Sequence, residues 1–374
     1  MTGLNTGSHT METEILARGI VSLGNAARLQ RVCAKAAGGE PIVIGAIGGS
    51  ITWGAKASTR EKAWAPRVAR WWEERYPDTI VTFVNAGLGG TGSNVGAHRA
   101  QHDLLSHEPD LVLVEFGVND GGNEYRDETF EGLLRRILSS KRAPAVVLFF
   151  TMRQDGGNVQ DAHALTGRHY GLPMCSVRDA LWPEIETGSV RWEQYSPDGV
   201  HPNDWGHQVC AACVTTLLEH CIEAGAGAGG PVADSLPAPL HGTIFEQADF
   251  RNAETIVPTR IDGWQVGPPR RLGPCWQSAT PGSVMEFDLA GRSLSIGYHK
   301  IQGPMGIALA TVDELPPVEL DAWYEATWGG YLHWTMLAHD IEPGPHKVRI
   351  QLTDRHAPRS NGHEFEIRAL FTAG

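Results

Sequence analysis

The chain has 374 residues, of which 41% are hydrophobic and 20% charged, and its 31 basic and 43 acidic side chains give a formal net charge of −12. This apolar content argues against an intrinsically disordered chain, and the acidic balance against a nucleic-acid ligand, whose phosphates are bound by clustered Lys and Arg. The length exceeds the roughly 250–300 residues at which one hydrophobic core stops growing, so about two domains are expected.

Residues 1–24 are predicted to form an N-terminal leader. This segment lacks a basic stretch followed by an apolar run, which is the pattern of a signal peptide, and the chain has no unbroken apolar stretch of roughly 18 residues. Cys210 and Cys213 lie inside an apolar helical run, so they are interpreted as buried free thiols rather than as a redox pair. These features favour a cytoplasmic protein that does not bind membranes.

The segment 25–223 alternates short apolar runs with amphipathic segments. The runs are rich in β-branched and aromatic residues and are bounded by Gly, Pro or Asp, which is typical of strands buried on both faces. Strands are predicted at residues 42–47, 80–84, 111–116 and 146–150, and helices at residues 25–35, 62–75, 93–107, 128–140 and 204–223. The alternation predicts an α/β domain with a parallel sheet flanked by helices.

The composition changes after this segment. Residues 224–240 are rich in Gly, Ala and Pro and are predicted to be a linker. Beyond them, four segments alternate apolar with polar residues: 285–289, 294–298, 348–352 and 365–369. A period of two with intervening Gly and Pro turns predicts a C-terminal antiparallel β-sandwich or jelly roll over residues 241–374.

The most informative motif follows the first buried strand and reads Ala46-Ile-Gly-Gly-Ser50-Ile-Thr-Trp-Gly54. Ligands of open parallel sheets bind at the carboxyl ends of strands, so Ser50 is placed to act as a nucleophile. Taken alone, the motif is better explained as a Gly/Ser turn that caps a helix. It does not fit the dinucleotide pattern G-x-G-x-x-G, nor the nucleophile elbow G-x-S-x-G, since Thr52 occupies the last position of the elbow.

Later strand ends supply the partners that a serine nucleophile needs. Gly90 and Asn119 follow the second and third predicted strands, and Asp198 and His201 stand near the end of the α/β segment. His201 is the candidate base, and Asp198, three residues earlier, can orient it. The backbone N–H groups of Ser50 and Gly90 and the amide of Asn119 are the candidate oxyanion donors. This chemistry needs no metal and no cofactor.

The set of Ser50, Gly90, Asn119 and His201, in this order, resembles the SGNH, or GDSL-type, hydrolase superfamily. The resemblance implies a flavodoxin-like parallel sheet flanked by helices. It also implies that Ser50 is the nucleophile, that Asp198 and His201 complete a catalytic triad, and that Gly90 and Asn119 complete the oxyanion hole.

The match spans about residues 40–220 and has one departure. Gly49 precedes the nucleophile where most members of the superfamily have Asp. The structural role of that Asp is therefore unfilled at position 49.

The form Gly-Gly-Ser-Ile-Thr, followed by a β-rich extension, is similar to carbohydrate O-acetylesterases, in particular to the two-domain acetylmannan esterases of gut bacteria, carbohydrate esterase family seventeen. This resemblance implies a serine esterase that removes O-acetyl groups from acetylated oligosaccharides, mannan-type first, through an acetyl-enzyme. It also implies that residues 241–374 resemble a carbohydrate-binding module. Two alternatives stay open: the same triad acting on a lipid or thioester acyl substrate, and a carbohydrate-binding protein with an inactive hydrolase domain.

Tryptophan is unusually frequent, with twelve Trp against seven Tyr. Trp53, three residues after the candidate nucleophile, either lines the acyl pocket or packs beneath its loop. Trp323, Trp328 and Trp334 surround a Gly-Gly pair and are candidates to stack on a sugar ring, the alternative being a plug in the sandwich core. The expected partner is an acetylated oligosaccharide; a homo-oligomer is compatible with the sequence, but no heptad or apolar stripe indicates one.

Overall fold

The computed structural model describes residues 13–225 and 235–374. It divides the chain into two compact units. The first unit comprises the chain up to Ser93 and Ala100–Leu240, and the second comprises Asn94–Arg99 and His241–Gly374.

Within the described residues, the first unit contains a six-stranded sheet and ten α-helices, one of which, Ser93–Asp103, has its residues Asn94–Arg99 in the second unit. Its strands are β1 (Ile20–Ser22), β2 (Ile42–Gly48), β3 (Val81–Gly87), β4 (Leu111–Glu115), β5 (Ala145–Phe150) and β6 (Met174–Ser176). Its helices are α1 (Thr13–Arg18), α2 (Ala27–Ala37), α3 (Ser50–Trp53), α4 (Trp64–Arg75), α5 (Ser93–Asp103), α6 (Arg126–Leu138), α7 (Gln160–His169), α8 (Val177–Glu186), α9 (Trp192–Tyr195) and α10 (Asp204–Ala224).

The strand order of this sheet is β1-β6-β5-β4-β2-β3. Strands β2 to β6 are parallel, and β1 pairs with β6 in the antiparallel sense. Strand β2 lies between β3 and β4. The connection from β2 to β3 therefore runs in one direction across the sheet and the connection from β3 to β4 in the other, which creates a switch point at the carboxyl end of β2. The predicted α/β sheet with flanking helices is therefore confirmed.

The core of this unit forms where the sequence pattern is apolar on every position. All residues of β4 and β5 are buried, and from helix α4 the indoles of Trp64 and Trp72 are fully buried against the sheet. All six cysteines are free and buried. Burial raises the pKa of Cys213 to about 12, so this thiol stays protonated and unreactive. The interpretation of Cys210 and Cys213 as buried thiols is confirmed.

The predicted leader differs from the structure. Residues 1–12 lie outside the described residues, but Thr13–Arg18 is helical and Ile20–Ser22 is strand β1. The carbonyl of Gly19 accepts the N–H of Ser176 at 2.8 Å, at the start of the pairing with β6. From Thr13 onward the segment is thus part of the first unit, because it supplies an edge strand of the sheet.

The predicted linker also differs in its second half. Residues 226–234 lie outside the described residues, while residues 235–240 are held on the first unit by hydrogen bonds. Glu131, fully buried in helix α6, accepts the N–H of Leu240 at 2.7 Å, and Arg135 donates to the carbonyl of Pro237 at 2.7 Å. The segment has no regular secondary structure but has a defined path from Ser235 to Leu240.

The second unit consists of two antiparallel sheets. Its strands are β7 (Asp249–Arg251), β8 (Arg260–Asp262), β9 (Gln265–Arg270), β10 (Gly273–Ser278), β11 (Val284–Ala290), β12 (Ser293–Lys300), β13 (Ile307–Val312), β14 (Val318–Asp321), β15 (Tyr331–Ala338), β16 (Pro345–Leu352) and β17 (Phe365–Ala373). One sheet has the order β15-β12-β17-β10-β9, with β7 also pairing with β17, and the other has the order β14-β13-β16-β11-β8. Alternate residues of both sheets share one core, so the predicted antiparallel β-sandwich is confirmed.

Within residues 13–225 and 235–374, every helix is too short or too polar to cross a lipid bilayer.

His207 connects helix α10 to the segment that follows helix α3. Its Nδ1 accepts the N–H of Trp64 at 3.3 Å, and its Nε2 donates to the carbonyl of Ala55 at 3.0 Å, so the ring is neutral. Burial lowers the pKa of His207 to about 4. The unfolded chain therefore binds a proton at this residue that the folded chain does not, between pH about 6.5 and 4.

We predict that the free energy of unfolding falls by up to about 3 kcal/mol as the pH decreases through this range, because protonation of His207 places a charge in a buried site and removes the hydrogen bond that its Nδ1 accepts from Trp64. Urea unfolding of wild type and His207→Gln at pH 7 and pH 4.5 measures this; the variant loses less stability between the two values. His107→Gln, which changes an exposed histidine, serves as the control. Equal pH dependence in wild type and His207→Gln would contradict the assignment.

Candidate active site

Ser50 lies at the first residue of helix α3, directly after the switch point of the sheet. The turn that presents it depends on close backbone approaches. A Cβ atom at Gly48 would overlap the hydroxyl of Thr52 and the carbonyl oxygen of Glu115, and a Cβ at Gly87 would overlap the backbone nitrogen of Trp53. Only glycine fits at these two positions without displacing helix α3.

The structure brings the three predicted triad residues together. The hydroxyl of Ser50 lies 2.9 Å from Nε2 of His201, and Nδ1 of His201 lies 2.9 Å from Oδ2 of Asp198. A quarter of the His201 side chain and a third of the Asp198 side chain are exposed, so a substrate can reach the base. This is the geometry in which a histidine takes a proton from a serine while a carboxylate fixes its tautomer.

The carboxylate of Asp198 is held in its ionised form. Its Oδ1 accepts the backbone N–H groups of Val200 at 2.9 Å and His201 at 2.8 Å, and its Oδ2 faces the imidazole. Partial burial raises the pKa of Asp198, but these hydrogen bonds from His201 and Val200 together hold it below the ordinary value. An ionised Asp198 can stabilise an imidazolium during proton transfer.

Two side chains that the sequence analysis did not assign to the site fix the loop of Asp198 and His201. The buried hydroxyl of Ser196 accepts the N–H of Asp198 and lies 2.7 Å from the carbonyl oxygen of His201, and the indole N–H of Trp192 donates to the carbonyl of Asp198 at 2.6 Å. Ser196 stands two residues before the aspartate, the spacing of a local Ser/Thr turn, which is a signal that the sequence does contain.

The two predicted partners for the oxyanion lie on loops beside Ser50. A Cβ at Gly89 would be 3.7 Å from Cβ of Ser50, so the turn containing Gly90 borders the nucleophile, and Gly90 has a φ of 72° that favours glycine. Asn119 follows β4 and lies against Gly49. Within the described residues, the side-chain oxygen of Asn119 is buried and accepts no hydrogen bond.

Asp120 links these two loops from beneath. It is fully buried, and its Oδ1 accepts the backbone N–H of Ser93, the first residue of helix α5, at 2.8 Å. Its Oδ2 lies 3.1 Å from Nε2 of His163, whose ring stacks on Phe130. The loop that carries Asn119 and the turn that follows β3 are thereby joined through one carboxyl group.

The candidate aromatic residues differ in their exposure. The ring of Trp53 is 51% exposed, with the guanidinium of Arg60 5.7 Å from its centroid, so it does not pack beneath the nucleophile loop. In the second unit, Trp328 is 60% exposed. It stacks on Tyr331 with centroids 5.7 Å apart and meets the edge of Tyr324 at 5.8 Å.

The other two tryptophans do not join this aromatic cluster of Tyr324, Trp328 and Tyr331. Trp323 is half-buried and packs against the sandwich core. Trp334 is half-buried in strand β15, three positions after Tyr331, and this odd offset points the two side chains to opposite faces of the sheet. Tyr331 was not among the residues predicted to stack on a sugar ring, all of which were tryptophans.

Known proteins resemble this chain in sequence and in fold. The GDSL-like Lipase/Acylhydrolase family model matches residues 46–209. Two solved structures of a two-domain esterase (CEX) active on acetylated mannans are similar over the whole chain, each with a TM-score of 0.89. One, co-crystallized with mannopentaose, is 31% identical over 98% of this chain and 99% of that chain; the other is 32% identical over 96% and 98%.

Two curated proteins are similar to the first unit. Thioesterase 1/protease 1/lysophospholipase L1 of Escherichia coli (strain K12) is 28% identical over 181 residues, which are 45% of this chain and 78% of that protein. The acetylxylan esterase of Geobacillus stearothermophilus is 24% identical over 162 residues, 36% of this chain and 71% of that protein.

The chain belongs to the GDSL-like lipase/acylhydrolase family, whose members have the SGNH hydrolase fold. Within this family it is an SGNH esterase, with a β-sandwich after its hydrolase domain.

Gly49 provides a test of the site. A Cβ at this position would overlap the side-chain oxygen of Asn119, so the glycine that departs from the family pattern leaves room for that amide. We predict that Gly49→Ala and Gly49→Asp each lower kcat on p-nitrophenyl acetate about tenfold or more, because a displaced Asn119 would lose the hydrogen bond that we expect it to donate to the oxyanion.

The matched control is Gly122→Ala, in the same loop as Asn119, where an added Cβ meets no atom within 4 Å. It should retain wild-type kcat. An active Gly49→Asp variant would mean that Asn119 tolerates the side chain and that the close packing seen here is not required.

Proposed function

We propose that Ser50, His201 and Asp198 are the catalytic triad of this esterase, and that the N–H groups of Ser50 and Gly90 and the amide of Asn119 form its oxyanion hole. The observation that carries the proposal is the continuous hydrogen-bond chain from the hydroxyl of Ser50 through the imidazole to Asp198, with 2.9 Å at each step. This hydrogen-bond network lies at the sheet's switch point, where ligands of open α/β sheets bind.

The reaction proceeds in two steps. His201 takes the proton of Ser50 as its oxygen attacks the acyl carbonyl carbon, and Asp198 stabilises the imidazolium that forms. The oxyanion donors hold the negative charge on the carbonyl oxygen, the C–O bond to the alcohol breaks, and His201 protonates the departing alcohol. A water molecule, deprotonated by the same imidazole, then attacks the acyl-enzyme and releases the carboxylic acid.

The substrate that we propose is an acetylated oligosaccharide of the mannan type. The similarity to a two-domain esterase active on acetylated mannans, over nearly the whole of both chains, supports this choice. The cluster of Tyr324, Trp328 and Tyr331, in which Trp328 is exposed and the two tyrosines are half-buried, offers flat apolar surface of the kind on which sugar rings stack. We propose that the second unit acts as a carbohydrate-binding module, and that the protein works in the cytoplasm, where its six free thiols would stay reduced.

We predict that Ser50→Ala lowers the release of p-nitrophenol from p-nitrophenyl acetate about 10⁴-fold or more, because no other group supplies the attacking oxygen. A fluorophosphonate probe should label wild type and leave the variant unlabelled. Ser106→Ala, a change of an exposed serine, is the control and keeps full activity. Activity of Ser50→Ala would refute the triad, and an inactive, unlabelled wild type would favour a binding protein over an enzyme.

The substrate is tested with acetylated manno-, xylo- and cello-oligosaccharides together with a long-chain acyl thioester. We expect acetate release to be fastest from the manno-oligosaccharide, whereas preference for the thioester would contradict the carbohydrate assignment. Trp328→Ala should raise KM for the preferred oligosaccharide about 10-fold, the value of roughly one stacking contact, and leave p-nitrophenyl acetate turnover unchanged. Val266→Ala, another exposed apolar residue of the second unit, is the control.

A further inference from the structure

Glu115, the last residue of strand β4, is a fully buried carboxyl group that the proposed mechanism does not use. Its Oε1 accepts the hydroxyl of Thr151 at 2.6 Å, its Oε2 lies 3.4 Å from the hydroxyl of Thr52, and the backbone N–H of Gly117 also donates to it. Among these described partners there is no basic group. A buried carboxyl group without a cation is costly to keep, so a purely apolar residue would serve the core better.

The three partners of Glu115 belong to three different segments of the candidate site. Thr52 lies in helix α3, two residues after Ser50, and Gly117 lies in the loop that leads to Asn119. Thr151 begins the loop after β5, whose Gln154 donates its N–H to the carbonyl of Gly199, between Asp198 and His201. The Glu115 side chain therefore contacts the segments that carry Ser50 and lead to Asn119, and it is linked to the segment of His201 only through the loop after β5.

The glycines around Glu115 show how tightly these segments are packed. A Cβ at Gly48 would overlap both the hydroxyl of Thr52 and the carbonyl oxygen of Glu115. Helix α3 is also bound from its other side, where the amide of Asn85 donates to the carbonyl of Thr52 at 3.0 Å. We therefore expect a change in length or hydrogen bonding at the Glu115 side chain to alter the position of helix α3 relative to β4.

We propose that Glu115 is a positioning residue that acts from inside the sheet, fixing the distance between the helix of Ser50 and the loop of Asn119. Gly49, which has no side chain, cannot do this from the position where related hydrolases carry a carboxylate. The proposal rests on the function proposed above, because the distance matters only if Ser50 attacks and Asn119 binds the oxyanion.

The protonated, neutral form of Glu115 suits this positioning role. Burial raises the pKa of Glu115 to about 7, with the nearby carboxyl of Asp120 adding to the rise and the three hydrogen bonds opposing it. The other titratable groups that face it, Tyr195 and Cys210, have their own pKa values raised well above the ordinary range by burial and stay neutral. Ionised Glu115 accepts from the hydroxyls of Thr151 and Thr52; when Glu115 is protonated, the Thr52 hydroxyl can rotate and accept the acid proton, and the amide of glutamine can make the same two contacts.

The test compares Glu115→Gln and Glu115→Ala with wild type on p-nitrophenyl acetate. We expect Glu115→Ala to lower kcat by 10- to 100-fold with KM changed less than twofold, and to slow fluorophosphonate labelling of Ser50 in parallel. Glu115→Gln should keep kcat within threefold at pH 6. As the pH rises from 6 to 9, wild type loses the neutral acid and the glutamine variant does not, so the ratio of variant to wild-type kcat should increase.

Glu131→Ala is the matched control, since it removes another fully buried glutamate of the first unit, one that binds Leu240 and Tyr170 instead. It should lose stability in urea and retain kcat. If Glu115→Ala does not fold, Thr52→Val tests the same contact and should lower kcat severalfold. Active wild type with unchanged kcat in Glu115→Ala, or equal loss in the alanine and glutamine variants, would overturn the positioning role alone; inactive, unlabelled wild type would overturn the proposed function itself.

Discussion

The hydrogen bond between Ser50 and His201 joins two residues that are 151 positions apart in the chain. The fold of the first unit brings these two residues together. Ser50 follows the strand at which the sheet reverses its direction of winding, and His201 precedes the long helix that closes the same unit. The entropy of bringing such distant segments together is offset by the sheet and its helices. The proposed triad is consequently assembled without a bound substrate, which is the condition for efficient proton transfer.

Polar groups beneath the site make that assembly rigid at a cost in stability. Glu115 and Asp120 are fully buried carboxyl groups, and Asn119 has a buried oxygen that accepts no hydrogen bond within the described residues. Each of these features opposes folding by a few kcal/mol at most when considered alone. These three groups lie at or just after the carboxyl end of β4, whose other residues are apolar, which is consistent with an exchange of stability for defined loop positions.

Much of the architecture could be predicted because buried parallel strands are apolar at every position and half-buried strands alternate. The three-residue strands β1 and β6 escaped prediction, since such short strands are defined by their partners rather than by their own pattern; helices α7 and α8, on either side of β6, were not predicted either. The candidate site was predictable from residues at strand ends. The roles of Ser196 and Trp192, the burial of Glu115 and the separation of Trp334 from Trp328 were not, because they depend on which side chains meet in space.

The antiparallel pairing of β1 with β6 has a consequence for the solubility of shortened forms of this protein. Strand β6 is buried along its whole length, and β1 is its neighbour at the border of the sheet. A chain that began at residue 25, where the helical pattern first becomes evident, would present the unpaired N–H and C=O groups of Met174–Ser176 as a template for strands of other molecules. The ten residues from Thr13 to Ser22 thus cover the edge of β6 with a three-residue strand, and such a short edge strand offers few groups for pairing with another molecule.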